Sequence, residues 1–318
     1  MATLATTIRP APTTGLKGSI IRHPLVAYFL LAFAGTWLFW GPLALSREQN
    51  GLGLLPFTFP DIAAFAFLQL GGWAGPPLAA ITVTALTSGR AGVRQLLRRC
   101  VQWRVGPVWY LVTLVGFIPA LLAGYSIVYG VNLPRALLAQ WPLIFSVYFA
   151  ALAFSLPTAN FPEELGWRGF ALPRLQQRYG PLVASVILGT LHGLWHLPVL
   201  FTRLLGPTSL PHFTGFVLVA IATTFLYTWI FNHTGGSVLI AALAHGCSNA
   251  ALGLVATLIP AGVVVSGWAR PLVTGGWQGD NVFVFGMCAL LVVIFTRGRL
   301  GYRPRSTEYP ADMAQAPA

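Results

Sequence analysis

LVAYFLLAFAGTWLFWGPLAL, residues 25–45, runs for 21 positions without a charged side chain. A helix of that length rises about 30 Å, the thickness of a bilayer's hydrocarbon core. A helix on the surface of a soluble protein would carry charges on its outer face, and this one has none. The pattern recurs. Hydropathy reads further apolar spans over 63–86, 108–130, 141–161, 182–201, 213–231, 238–259 and 282–295, the last of them short. Inside lipid a backbone must satisfy its own hydrogen bonds, and uninterrupted apolar runs of this length do so as helices. The expected fold is therefore all-α: a polytopic membrane bundle of about eight transmembrane helices around a polar intramembrane cavity.

Composition points the same way. Of 318 residues 56% are hydrophobic and 8% charged, where a soluble domain carries about 25% charged residues. The formal net charge of +12 resides in the arginines between and beyond the apolar runs. It is no nucleic-acid footprint, and no nucleic-acid partner is expected. Cys100, Cys247 and Cys288 are odd in number and lack paired spacing, so neither a disulfide framework nor a zinc finger is indicated. The first 20 residues are polar and rich in Pro and Thr, without a signal-peptide core.

Orientation follows the basic residues. The connection RAGVRQLLRRCVQWR, 90–104, carries five arginines and is assigned to the cytoplasm, where it either sets topology or lies on anionic lipid as a short amphipathic helix. Eight spans then place both termini in the cytoplasm, with 15 basic residues on that side and four (Arg47, Arg135, Arg203 and Arg270) on the other. The expected organisation is a flexible tail over 1–21, one transmembrane domain over 22–300, and a second flexible tail over 301–318.

Ionisable groups inside a span cost about 2.5–3.5 kcal/mol at the bilayer centre and are functional candidates by default. Three segments hold them: PEELGWRGF (162–170), LHGLWHLP (191–198) and LAHGCSN (243–249). On a helix Glu164 and Arg168 are four apart, acid first, the favoured order for an ion pair. Glu163 is turned about 100° away; left unpaired in a low-dielectric place, it is a candidate general base. Pro162 and two acids also suit an ordinary helix start. His245 and Asn249 lie four apart on one face, with small Gly246 and Ser248 between them to admit a neighbouring helix. His196 lies one turn beyond His192. Three such segments suggest convergence on one cavity. Trp167 and Trp195 are read as packing aromatics. His23, His212 and His233 are read as interfacial residues.

The ordered pattern Glu-Glu-x-x-x-Arg, aromatic-x-x-x-His, His-x-x-x-Asn resembles the CAAX protease and bacteriocin-processing family, also called the abortive-infection family. These are intramembrane glutamic-type proteases related to the eukaryotic prenyl-protein endopeptidase. EELGWRGFALPRLQ (163–176) and GLWHLP (193–198) carry the resemblance, which covers roughly 141–254, with GPPLAAI (75–81) as a weaker echo. It implies that Glu163 activates a water with help from His196, that Glu164 and Arg168 brace that carboxylate, and that His245 and Asn249 donate to the tetrahedral oxyanion. No cofactor is expected from it.

Two positions depart from the family pattern. His192 stands where Phe or Trp is usual, and Phe161-Pro162 replaces a small residue. The first creates His-x-x-x-His, so a zinc ion on His192, His196, His245 and Glu163 is the metal-dependent alternative. The HExxH signature of zinc proteases is absent, and the ordinary role for His192 is a packed ring bonded to a backbone carbonyl. The expected function is an endopeptidase of the bacterial plasma membrane. Its partners are membrane lipids and a peptide or lipidated-protein substrate cut near the cytoplasmic face; no oligomeric state follows. A non-enzymatic immunity or scaffold protein is the competing class. A transporter is disfavoured by the lack of an inverted repeat.

Overall fold

A computed structural model describes residues 15–47, 51–202 and 207–304; the described residues are helices and connecting turns, with no strand among them. Six helical runs are long and apolar enough to cross a membrane: Pro24–Leu45, Asp61–Cys100, Pro107–Tyr129, Ile144–Trp195, Leu210–His233 and Val238–Leu258. A shorter apolar helix, Gly279–Phe295, follows. All eight segments read from hydropathy are helical, and the molecule is a multi-pass membrane bundle. Two of them, 141–161 and 182–201, fall largely within the one run Ile144–Trp195. Gly180 divides that run with φ 73° and ψ 171°, a backbone region open essentially to glycine alone. Pro181 then starts the next helix, where its missing N–H costs nothing.

The residues between those two spans are not a loop. Phe161–Gly166 is helical and is flanked by two wider π turns, Leu156–Asn160 and Trp167–Ala171. Pro157, Pro162 and Pro173 explain the widening, because each lacks a donor and presses its ring on the carbonyl four residues back. Asn160, just before the glutamates, already has helical angles. PEELGWRGF is therefore mid-run, not the helix start that Pro162 allowed. Such π turns recur at functional sites.

The helix Val238–Leu258 is central. Of its most apolar stretch 72% is buried, against 39% or less for the other long runs. It adds Ala244 and Leu254 to an apolar cluster around Tyr125, Tyr148 and Leu226. Val238 and Ala241 join a second cluster around Tyr28, Trp40, Trp167 and Trp195. His245 thus stands on the seam between two cores. Small residues let the neighbours close in. A Cβ on Gly246 would lie 2.8 Å from Leu152 Cδ1 and 3.0 Å from Asn160 Oδ1, so the motif run packs against that face. The helix Pro24–Leu45 meets GGWAGPP as closely: a Cβ on Gly75 would collide with Thr36 and come within 2.7 Å of the Ala32 carbonyl.

At the ends, part of the sequence reading changes. Residues 15–21, expected in a flexible tail, belong to the helix Gly15–Arg22, whose Ile20 packs on the second cluster. The rest of that tail, 1–14, and 305–318 of the other lie outside the described residues, as do Arg9, Arg203 and Arg305. Gly89, with φ 61° and ψ −160°, bends Pro76–Cys100 where the basic stretch begins, and 90–100 continue as a helix that buries Leu96 and Cys100.

Candidate active site

The two adjacent glutamates serve different neighbours. Glu164 and Arg168 are both fully buried, and Arg168 Nη1 donates to Glu164 Oε1 at 2.8 Å, the expected four-residue brace. The same oxygen accepts from His245 Nδ1 at 2.9 Å, and Arg168 Nη2 donates to Thr224 Oγ1 at 3.1 Å. A carboxylate between a guanidinium and an imidazole has its charge locally matched, which burial of two charges requires. His245 is thereby oriented through Nδ1, leaving Nε2 as its outward nitrogen.

Glu163 is not unpaired. Its Oε2 lies 2.9 Å from His192 Nε2, and both residues are buried. The expectation of a free carboxylate fails because the partner sits 29 residues away, on the helix after the Gly180 bend, where no local spacing reveals it. The ordinary role offered for His192 is corrected with it. The ring reaches the carboxylate, while the backbone carbonyl of His192 accepts from His196 Nδ1 at 3.0 Å. A carbonyl only accepts, so His196 carries its proton on Nδ1 there, and Nε2 of the neutral ring is a proton acceptor.

Asn249 does not join this network. It is exposed and its side chain makes no hydrogen bond to the described residues, although it shares a helix face with buried His245. Sequence reasoning missed several others. Tyr227 stacks on His245 with ring centroids 5.3 Å apart, and Arg168 lies over its ring at 5.0 Å. Its hydroxyl bonds Ser248, which donates to the His245 carbonyl at 2.9 Å. Trp195 Nε1 donates to Thr36 Oγ1 at 2.8 Å, tying the histidine-bearing helix to the first span. Trp167 and Trp195 are fully buried packing aromatics, as read. Tyr28 and Asn160 are buried with a side-chain oxygen lacking a protein partner, as is Glu164 Oε2. Such atoms concentrate where polar groups are to be received. Hydroxyls in aromatic or Thr-rich helices carry no sequence signal, since most bond their own backbone.

Glu163, His192 and His196 bring three ligand atoms within 4.8 Å of one another. Two imidazoles and a carboxylate are a donor set zinc accepts, and His196 has the Nδ1-to-carbonyl bond typical of a metal-bound histidine. His245, the fourth residue of the metal alternative, instead faces Glu164. Ligands about 2.1 Å from one ion sit roughly 3.5 Å apart, so the widest pair would have to close by about 1 Å.

The structure thus holds a buried acid–base cluster inside a polytopic helical membrane bundle. The family model described as type II CAAX prenyl endopeptidase Rce1-like matches residues 140–251, which enclose Glu163, Glu164, Arg168, His192, His196 and His245. The CAAX prenyl protease 2 of Methanococcus maripaludis is 24% identical over 235 residues, covering 70% of this chain and 81% of that protein. These findings bear out the resemblance read from the motifs: over 140–251 the chain is similar to the Rce1-like, CAAX prenyl endopeptidase family.

Proposed function

We propose that the chain is an intramembrane endopeptidase that hydrolyses a peptide bond of a membrane-associated peptide or lipidated protein with a water activated by Glu163. The observation that carries this reading is the division of labour between the glutamates. Glu164 is committed to Arg168 and His245, while Glu163 faces His192 and His196. His192 holds one oxygen of Glu163, and the other oxygen with His196 Nε2 can position a water and take its proton. The hydroxide adds to the scissile carbonyl. His245, when protonated at Nε2, donates to the oxyanion. The proton on Glu163 passes to the leaving nitrogen as the C–N bond breaks. Oxyanion donors of this kind contribute about 10²–10³-fold in rate. Both termini and the site's open side are assigned to the cytoplasm of a bacterial plasma membrane on the arginine distribution.

The test is cleavage of a fluorogenic lipopeptide library by the purified chain in detergent. Glu163→Gln should abolish cleavage and His245→Ala should reduce it at least 10²-fold, each with its helicity retained. Undiminished cleavage by Glu163→Gln would sink the mechanism, and an immunity phenotype surviving in that variant without any cut substrate would favour a scaffold. The three-ligand cluster supports a second, zinc-dependent reading. Phenylalanine at 192 cannot ligate. The glutamate–water reading predicts that His192→Phe loses only about tenfold, one charge-assisted hydrogen bond, and that a strong chelator changes nothing. The metal reading predicts complete loss in both.

A further inference from the structure

A cavity of about 750 Å³ opens at the end of the bundle that carries the basic connection, lined by Arg99, Arg299 and Arg303 with Asn232, His233 and Phe295 among others. Its volume lies within the usual range for small-ligand sites. It is separate from the acid–base cluster: Asn232 lies eight residues beyond Thr224 on one helix, about 12 Å along its axis.

The walls are built. Gln176 and Asn232 pair their amides reciprocally, at 3.1 and 2.7 Å, and Asn232 Nδ2 also donates to the Leu300 carbonyl at 3.0 Å. Leu300 is fully buried, with φ 45°, and Gly301, with φ 70°, lies so close under the His233 ring that any Cβ would collide with it. The Asn232–Leu300 bond and the Gly301–His233 contact clamp 299–303 over the end of the helix Leu210–His233, and Arg299 and Arg303 line the cavity that Arg99 lines from another helix. Topogenic arginines need only lie on the correct side; they need no cavity. Among the described residues that line it there is no carboxylate. Phe295 is exposed at the rim, on the last apolar helix. The site therefore offers cations to a head and an apolar flank to a chain.

We propose that this cavity binds the phosphate headgroup of an anionic membrane lipid, whose acyl chain runs along Phe295. Phosphate is the recognised chemistry; a lipid and free phosphate are its two sources. The experiment measures the thermal transition of the purified full chain in detergent with phosphatidylglycerol, with phosphatidylcholine, and with inorganic phosphate at matched ionic strength. Phosphatidylglycerol should stabilise the wild type well beyond phosphatidylcholine, with inorganic phosphate giving no comparable shift. Arg299→Gln/Arg303→Gln should bind phosphatidylglycerol about thirtyfold more weakly, each guanidinium contributing about fivefold, while melting normally without lipid. Arg94→Gln/Arg98→Gln removes the same charge from exposed positions outside the cavity and should bind as the wild type does. Equal losses in the two double variants would reduce the effect to diffuse attraction and overturn the site. So would an undiminished shift in Arg299→Gln/Arg303→Gln. A full shift from inorganic phosphate alone would overturn the lipid as occupant.

Discussion

Glu164 and Glu163 are neighbours in sequence, yet the structure gives their carboxylates different partners. Removing the charge of Glu164 leaves Arg168 buried without its counter-ion, and breaking a buried pair from one side costs about 3–5 kcal/mol. Glu163→Gln keeps a group that can bond His192, so its cost falls on chemistry and not on folding. Thermal melts in detergent should therefore separate the two: Glu164→Gln lowers the transition strongly, Glu163→Gln hardly moves it, and equal shifts would refute the division. The Glu164–Arg168 half was legible in sequence because a helix places residues four apart on one face. The Glu163–His192 half was not, since it depends on how the chain returns after Gly180. Asn249 shows the reverse error. Its spacing from His245 was right, but sharing a face does not bring a side chain into the same buried network.

At the scale of elements, glycine spacing was visible but its partners were not. In sequence Gly75 stood out within GPPLAAI, the weaker echo of the family; the structure shows why a glycine is needed there, seated against Thr36 and the Ala32 carbonyl. Thr36 is itself committed, donating to the Gly71 carbonyl at 2.7 Å while accepting from Trp195. A methyl group at Gly75 meets backbone that cannot move without disturbing the first span. At Gly246 it would meet the ends of the Leu152 and Asn160 side chains, which can give way. Overpacking typically costs 1–3 kcal/mol. Gly75→Ala should fall at or beyond the upper end and Gly246→Ala near the lower, read as transition temperatures of the two purified variants. The reverse order would show that the first-span crossing is looser than drawn. The π turns around the glutamates escaped sequence reading for a related reason. Proline announces a disturbed ladder without saying whether the helix ends or widens.

For the whole molecule the decisive number is the length of Ile144–Trp195. Its 52 residues would make a straight helix of about 78 Å, more than twice the hydrocarbon thickness of about 30 Å. It must fold back, and Gly180, with angles closed to other residues, is where it does so. With that bend, six long runs and one short helix accommodate the eight spans read from hydropathy, because Asp61–Cys100, at 40 residues, spends its surplus length on the basic helix beyond Gly89. Eight is even, so the arginine distribution predicts both termini on the side of the arginine-rich connection. A fluorescent protein fused to either end should fluoresce in cells, and alkaline phosphatase fused to the C-terminus should be inactive. The same phosphatase placed after Gly130, at the far end of Pro107–Tyr129, should be active. Activity at the C-terminus would mean an odd number of crossings. The segment around Gly180 would then lie in the membrane without turning back through it, and the site would open to the opposite face.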